Sequence, residues 1–206
     1  MNDAPLHTKV RKSDWLHAAR TTLIEAGEEK VKILTLAERL GISRSSFYWY
    51  FKSRDDLLKA LLDDWMTTNT DVLIQQTQKP APTITEAVCN FFLCFLSRTT
   101  FDNQLDFAVR EWARRSEVVK GVVALSDERR LTALADMFLR YGYPPFEVQT
   151  RARALYYMQI GYNDADLRET LESRLQNVPL YLRIFTGQDA PADELNRFVK
   201  LVRPQD

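Results

Sequence analysis

Five aromatic residues stand in a row, Phe47-Tyr48-Trp49-Tyr50-Phe51, behind Arg44-Ser45-Ser46 and ahead of Lys52-Ser53-Arg54. In a helix, successive side chains step about 100° around the axis, so five neighbours cannot share one buried face. Phe47 and Phe51, at i and i+4, pair inward. Ser45 and Trp49 then turn outward, flanked by Ser46, Tyr48 and Tyr50. Rings of that size left in water mark an interaction surface, and with Arg44, Lys52 and Arg54 around them the chemistry points to a DNA groove and its phosphates. Phosphate contacts hold register, and base-edge contacts specify sequence. Arg44 carries a planar fork suited to both acceptors of guanine; a phosphate is its alternative partner. Ser45 and Ser46 allow close approach and can donate to base or phosphate, or serve only as first-turn helix residues. Tyr48 and Tyr50 can offer hydroxyls to phosphate oxygens, or pack against neighbouring helices. Trp49 can press on sugars or thymine methyls. Lys52 and Arg54 place fixed charge against the DNA backbone, or are solvated.

The residues of catalysis are scarce. There are two histidines, His7 and His17, and no nucleophile motif, phosphate-binding loop or paired metal ligands. Glu28-Glu29 and Asp55-Asp56 are adjacent pairs, which diverge around a helix rather than share a site. The expectation is a protein that is not an enzyme, with no catalytic residue, no metal and no cofactor. Cys89 and Cys94 lie in an apolar stretch, without metal-ligand or redox spacing, and read as buried free thiols.

No run of about 18 apolar residues occurs, so no membrane span is expected. The polar stretch from Met1 to Lys12 lacks the apolar core of a signal peptide, and with two free thiols a reducing cytoplasm is the expected location. Lys/Arg and Asp/Glu balance at 28 each, but residues 1–60 hold 11 basic against 8 acidic residues. A small basic module on an acidic body fits that asymmetry, as does chance.

The elements that must position these residues are helices. Residues 1–10 read as an arm, whose Lys9, with Arg11 and Lys12 beside it, can touch an adjacent groove or backbone. The first helix is predicted over Lys12–Glu25 with Ser13 as cap, ended by Gly27. A charged connector covers residues 28–32. A short second helix ends at Leu40; Thr35 with Glu38 offers a capping box, although Ile33 and Leu34 can already be helical. Gly41 suits the tight turn, and Ser43 caps a third helix to Phe51, which makes a helix-turn-helix. Phe47 and Phe51 join Trp15, Leu36, Leu40 and Ile42 in a small core. A fourth helix runs from Ser53 to Gln76 and a boundary follows at 77–82. Further helices are expected over 83–96, 103–115, 117–141 and 146–162, then two pieces at 167–176 and 179–186 broken at Pro179, and a last helix over 191–202. No strand or internal repeat is expected.

The first 65 residues or so resemble the TetR family of bacterial transcriptional regulators. The pattern comprises Trp15-Leu16-His17-Ala18-Ala19, then Leu36-Ala37-Glu38-Arg39-Leu40-Gly41-Ile42-Ser43, and then Arg44 through Leu58. The segment Asp106-Phe107-Ala108-Val109-Arg110-Glu111-Trp112-Ala113 and Gly142 resemble a layout found in one group of these regulators. The resemblance implies an all-α chain: an N-terminal three-helix DNA-binding domain over residues 1–54 (10–70 with the linking helix) and a larger helical ligand-binding and dimerisation domain over 55–206. It implies a homodimer whose third helices enter the major groove at the halves of a palindromic operator. A small-molecule effector in the body changes the separation of the two heads. Most members repress. Tyr50 departs from the pattern, where many relatives carry His. Lys32 departs too, standing where relatives often have a Thr or Ser cap, and a lysine there can reach a phosphate.

In the body, an effector pocket is expected between the helices near 88–96, 105–114 and 146–162. Its candidate lining is Phe92, Phe95, Gln104, Phe107, Trp112 and Met158, with Asp106, Arg110, Gln159 and Asn163 as further polar candidates; core packing is the alternative for each. The dimer seam implied by the family layout uses the 146–162 helix and the 167–186 pieces packed as a four-helix bundle. Ala154, Leu155, Met158, Gly161 and Leu180 are its candidates. Two other readings of the same fold are an activator and a DNA-binding scaffold without small-molecule input.

Overall fold

The computed structural model describes residues 10–96, 101–165 and 167–203. His7 and Lys9 lie outside them. Ten α-helices follow one another, with no strand among the described residues: α1 (Lys12–Ala26), α2 (Ile33–Leu40), α3 (Arg54–Trp65), α4 (Val72–Gln78), α5 (Ile84–Leu96), α6 (Asn103–Ala113), α7 (Glu117–Arg140), α8 (Pro145–Asp164), α9 (Leu171–Thr186) and α10 (Ala192–Val202). Short 3₁₀ helices cover Glu28–Lys30 and Arg44–Trp49, and a π-helical stretch, Met66–Asp71, joins α3 to α4.

Side-chain caps set half of the starts. Ser53 accepts from Asp56 N–H at 3.2 Å, Thr83 from Glu86 at 3.1 Å, Asp102 from Leu105 at 2.9 Å and Thr170 from Ser173 at 3.2 Å. Each satisfies an N–H that the helix itself leaves unpaired. Three expected caps fail: Ser43 stands at the N-cap position before Arg44 but makes no side-chain cap bond, and two others fall inside their helices. Ser13 lies inside α1, which begins when Arg11 N–H donates to Asp14 Oδ2 at 2.6 Å. Thr35 lies inside α2, which starts at Ile33. Gly41 does close α2 as expected: its φ of 67° lies in the left-handed region, and Ile42 N–H reaches back to the Ala37 carbonyl at 3.0 Å.

Pro179 does not break the chain into two pieces. α9 runs through it, because Leu175, Val178, Leu182 and Phe185 form one buried stripe. Packing of that stripe outweighs the one backbone hydrogen bond the proline removes.

Two apolar clusters result. The first unites the head: Trp15 meets Phe47 edge-on at 5.1 Å, Phe47 stacks on Phe51 at 5.4 Å, and Leu36, Leu57, Leu61 and Trp65 close around them. Leu40 and Ile42 pack at its edge, half-buried. Leu105 and Val109 of α6 and Val119 of α7 belong to this cluster as well, so the body seals the head from below. The second cluster fills the body around Phe91, Phe138, Leu155 and Leu182. Cys89 and Cys94 are buried free thiols, pushed up to about 12 by burial.

A buried polar network joins the two. Asp106 accepts from Trp65 Nε1 at 2.9 Å, Arg110 Nε at 3.0 Å and Arg130 Nη2 at 3.0 Å. Arg130, 1% exposed, lies over the Trp65 ring at 5.2 Å and the Phe101 ring at 5.5 Å and donates to Thr70 at 2.9 Å. Arg110 forks onto Asp127 at 2.7 and 3.1 Å, and the Tyr156 hydroxyl donates to the same carboxylate at 2.6 Å. Burial pushes the Asp106 carboxyl up, but the Arg130 and Arg110 charges together outweigh it and hold it below its usual value. The π-helical stretch makes this wiring possible. Its wider turn points Asn69 and Thr70 inward, where Asn69 donates to the Asp102 carbonyl at 2.9 Å and Thr70 meets Ser126 at 2.6 Å.

Candidate nucleic-acid interface

The segment after Gly41 is a 3₁₀ helix of six residues, Arg44–Trp49, rather than an α-helix reaching Phe51. Its serines bond locally: Ser46 Oγ donates to the Ser43 carbonyl at 2.7 Å, and Ser43 and Ser45 hydroxyls meet at 2.9 Å. Short hydroxyl side chains compete with the backbone ladder in this way. A 3₁₀ helix places residues three apart in line. Tyr50 therefore follows Phe47 toward the protein, where the Phe47–Phe51 spacing alone had turned it outward.

Trp49 and Tyr48 are 78% and 53% exposed. Arg44 and Ser45, just before them in the chain, are exposed, with Ser46 half-buried, and Lys52, three residues after Trp49, is also exposed. Lys32 is exposed at the head of α2, where it is the N-cap residue and supplies no side-chain cap. An uncapped helix N-terminus presents free N–H groups and the positive end of the helix dipole, which suits a phosphate. Thr35 is exposed in the first turn of α2. Arg11 and Lys12 are exposed nearby, and the Lys12 ammonium sits 5.2 Å over the Phe51 ring.

Two predicted phosphate contacts are engaged inside the fold. The Tyr50 hydroxyl donates to the Val10 carbonyl at 2.6 Å, which ties the start of the described chain to the end of the 3₁₀ helix. The Arg54 guanidinium donates to the Val31 carbonyl at 2.7 Å and the Glu28 carbonyl at 2.8 Å, and pairs with the Glu28 carboxylate. It clamps the connector between α1 and α2. Neither side chain is presented to a DNA backbone in this structure.

The sequence profile of the bacterial regulatory proteins, tetR family, matches residues 16–61, from α1 into α3. Two tetracycline repressors of Escherichia coli align with the same region. The class A repressor from transposon 1721 is 34% identical over 62 residues, 30% of this chain and 29% of its own length; the class C repressor is 34% identical over 61 residues, 30% of this chain and 28% of its own length. Residues 16–61 therefore match the family's N-terminal domain, and the chain spans less than a third of the length of the curated relatives it matches. Solved structures extend the likeness beyond this segment, as fold alone. Salmonella enterica GusR superposes with a TM-score of 0.60 at 12% identity, covering 93% of this chain and 92% of its own. A transcriptional regulator from Aquifex aeolicus VF5 gives 0.61 at 15%, covering 93% and 99%, and Mycobacterium smegmatis AmtR gives 0.59 at 19%, covering all of both chains.

In the body of the chain, the expected pocket residues do not converge. Phe92 and Met158, with Gln159, Tyr162 and Arg174, line a small cavity of about 30 Å³ between α5, α8 and α9. Phe107 and Trp112 line a different space, an open cleft of about 1010 Å³ between the head and α6–α7. Phe95 is buried in the body core, Gln104 is exposed, and Asn163 pairs with Gln159 and Asn103. Asp106 and Arg110, candidates for holding a ligand, hold each other instead, and Asp106 also holds Arg130 while Arg110 holds Asp127. The ionic network occupies the space between α6, α7 and α8.

The seam candidates divide as well. Ala154 and Gly161 on α8 and Leu180 on α9 are exposed. Leu155 is fully buried in the body core and Met158 is half-buried against it, so both serve inside the subunit. Phe146 and Tyr157 extend the exposed stripe of α8, and Ile184, 69% exposed, extends that of α9. The signal for these was present in their helical spacing from Ala154, Gly161 and Leu180, out of phase with the buried Val148, Ala152 and Tyr156.

Among the described residues no group of three or more His, Cys, Asp and Glu is arranged to hold a metal ion, and no helix is long and apolar enough to cross a membrane.

Proposed function

We propose that this protein is a cytoplasmic, ligand-responsive repressor that binds a palindromic operator as a homodimer and leaves it when a small molecule binds. Residues 1–54 form the reading head, extended to 10–70 with the linking helix, and 55–206 the effector and dimerisation body. The observation that carries the reading is the exposed pair Tyr48 and Trp49, set between Arg44 and Lys52 on a tetR-type head. In the major groove, Arg44 reads guanine, Ser45 and Ser46 permit close approach, and Trp49 presses on sugar or thymine methyls. Lys32, Lys52, the Tyr48 hydroxyl and the free N–H groups of α2 hold phosphates. Tyr50 and Arg54 act one step behind, fixing the segments that carry these residues. Two copies join through α8 and α9, where Ala154, Tyr157, Gly161, Leu180 and Ile184 pack as a four-helix bundle. The relatives matching the head are repressors by name, which favours repression.

The test is fluorescence anisotropy of the full chain on duplexes tiled across the DNA flanking its gene, with a scrambled duplex of equal length as control. One inverted repeat should bind at least a hundredfold tighter than the scrambled duplex, at two chains per site. Equal affinity for every duplex would sink the reading.

A further inference from the structure

We infer that the cleft between head and body is a binding site for a lipophilic molecule carrying a single positive charge. Its volume of about 1010 Å³ is at the upper end of small-molecule sites, which form preferentially where domains meet. Ile24, Leu58 and Leu62 form the head wall, and Phe107, Trp112 and Val118 the body wall. Phe107 and Val118 are 44% and 78% exposed, so the body wall of the cleft is open apolar surface rather than a packed seam.

Charge complementarity selects the ligand. The cations lining the cleft are already neutralised: Arg54 pairs with Glu28, Lys59 with Asp63 at 2.7 Å, and Arg115 with Glu29 at 3.6 Å. Glu111, also lining it, pairs with Arg114 at 3.0 Å. Asp55 is the one lining carboxylate with no cation in ion-pair range among the described residues. A cation there also gains from the faces of Phe107 and Trp112. The occupant would touch α1 and α3 on one side and α6 and α7 on the other, so it would bear directly on how the head sits on the body. The inference goes beyond the regulator reading and does not depend on it.

The test compares two ions of one shape and opposite charge, tetraphenylphosphonium and tetraphenylborate, by titration calorimetry on the full chain without DNA. Phosphonium should bind at least about tenfold tighter than borate. Asp55→Asn should weaken phosphonium binding about two- to fivefold, the size of an exposed charge pair. Phe107→Ala should weaken it about fivefold, with the melting temperature nearly unchanged because the ring is exposed. Met158→Ala, in the small body cavity, should leave it unaltered. Absence of phosphonium binding, equal binding of both ions, indifference to Asp55→Asn and Phe107→Ala, or loss through Met158→Ala would each overturn the inference. None of these results would touch the operator-binding reading, which is measured on DNA.

Discussion

The head and the body bury their interiors differently. The head closes on rings and aliphatic chains, with Trp15, Phe47, Phe51 and Trp65 at its centre, and keeps charged side chains out of that centre, with Arg54 and Glu28 half-buried at its edge. The body, at the point where it meets the head, buries a guanidinium, a carboxylate and a phenol: Arg130, Asp106 and Tyr156. An apolar core tolerates change so long as volume is kept. A buried ionic core tolerates little, because removing one member strands the others without water or partner. The head can therefore vary its reading face without disturbing its fold. Its seating on the body is fixed by a network in which every member needs the rest, and Trp65 belongs to both.

The sharpest way to break this contrast is Asp106→Ala. It strands Arg130, whose carboxylate partner is Asp106, while Arg110 keeps Asp127, and the expected loss is about 3–5 kcal/mol in chemical denaturation. Adding Arg130→Met should restore much of it, since an apolar chain of similar length replaces the stranded charge. A loss below about 1 kcal/mol would show that the network is only decorative. Acid sharpens the same point. Asp106 has its pKa lowered in the folded chain, so its stabilisation is fully present above the ordinary carboxylate value near 4 and is lost as the pH falls through the folded value. Asp106→Asn should flatten the fall in stability below about pH 4 that wild type shows.

Arg54→Ala comes next in size. Its guanidinium bonds two carbonyls and one carboxylate across the α1–α2 connector, so a loss of about 1.5–3 kcal/mol in stability is expected. The salt dependence of DNA binding should stay unchanged. A stable variant with a shallower salt slope would return Arg54 to the DNA backbone.

That reversal shows where the sequence stops being legible. The helices could be read because capping residues and apolar periodicity are local signals: Ser53, Thr83 and Gly41 do what their positions imply. Trp49 could be read as outward-facing because five adjacent rings cannot all be buried. The partners of Tyr50 and Arg54 lie 40 and 23 residues away, and no local pattern records such a distance. Pro179 misled for the complementary reason: its local cost is fixed, but the buried stripe that outweighs it depends on α5 and α8. Asp106 and Arg110 were recognisable as polar groups on an inward face. Whether inward meant ligand or network depended on Arg130, which sequence alone gave no reason to place beside them.

Arg44→Ala should leave stability unchanged and cost about 1–3 kcal/mol in operator binding, with little loss on scrambled DNA. Equal loss on both would make Arg44 a phosphate contact rather than a reader of bases.

Lys52→Ala has the smallest expected effect and separates it most cleanly from its neighbour two residues on. The Lys52 side chain is exposed and only its backbone N–H is engaged, with Asp56 at 3.0 Å, so folding stability should change by less than about 0.5 kcal/mol. On DNA, a single phosphate contact contributes about 0.9 to the slope of log affinity against log salt. The slope should therefore become shallower by about that amount, equally on operator and scrambled duplexes, because a phosphate carries no sequence. Measured together with Arg54→Ala, this gives a crossed pair: one cation whose removal alters the slope and not the fold, and one whose removal alters the fold and not the slope. Two cations two residues apart can be told apart in this way because only one of them has its hydrogen bonds filled by the protein itself.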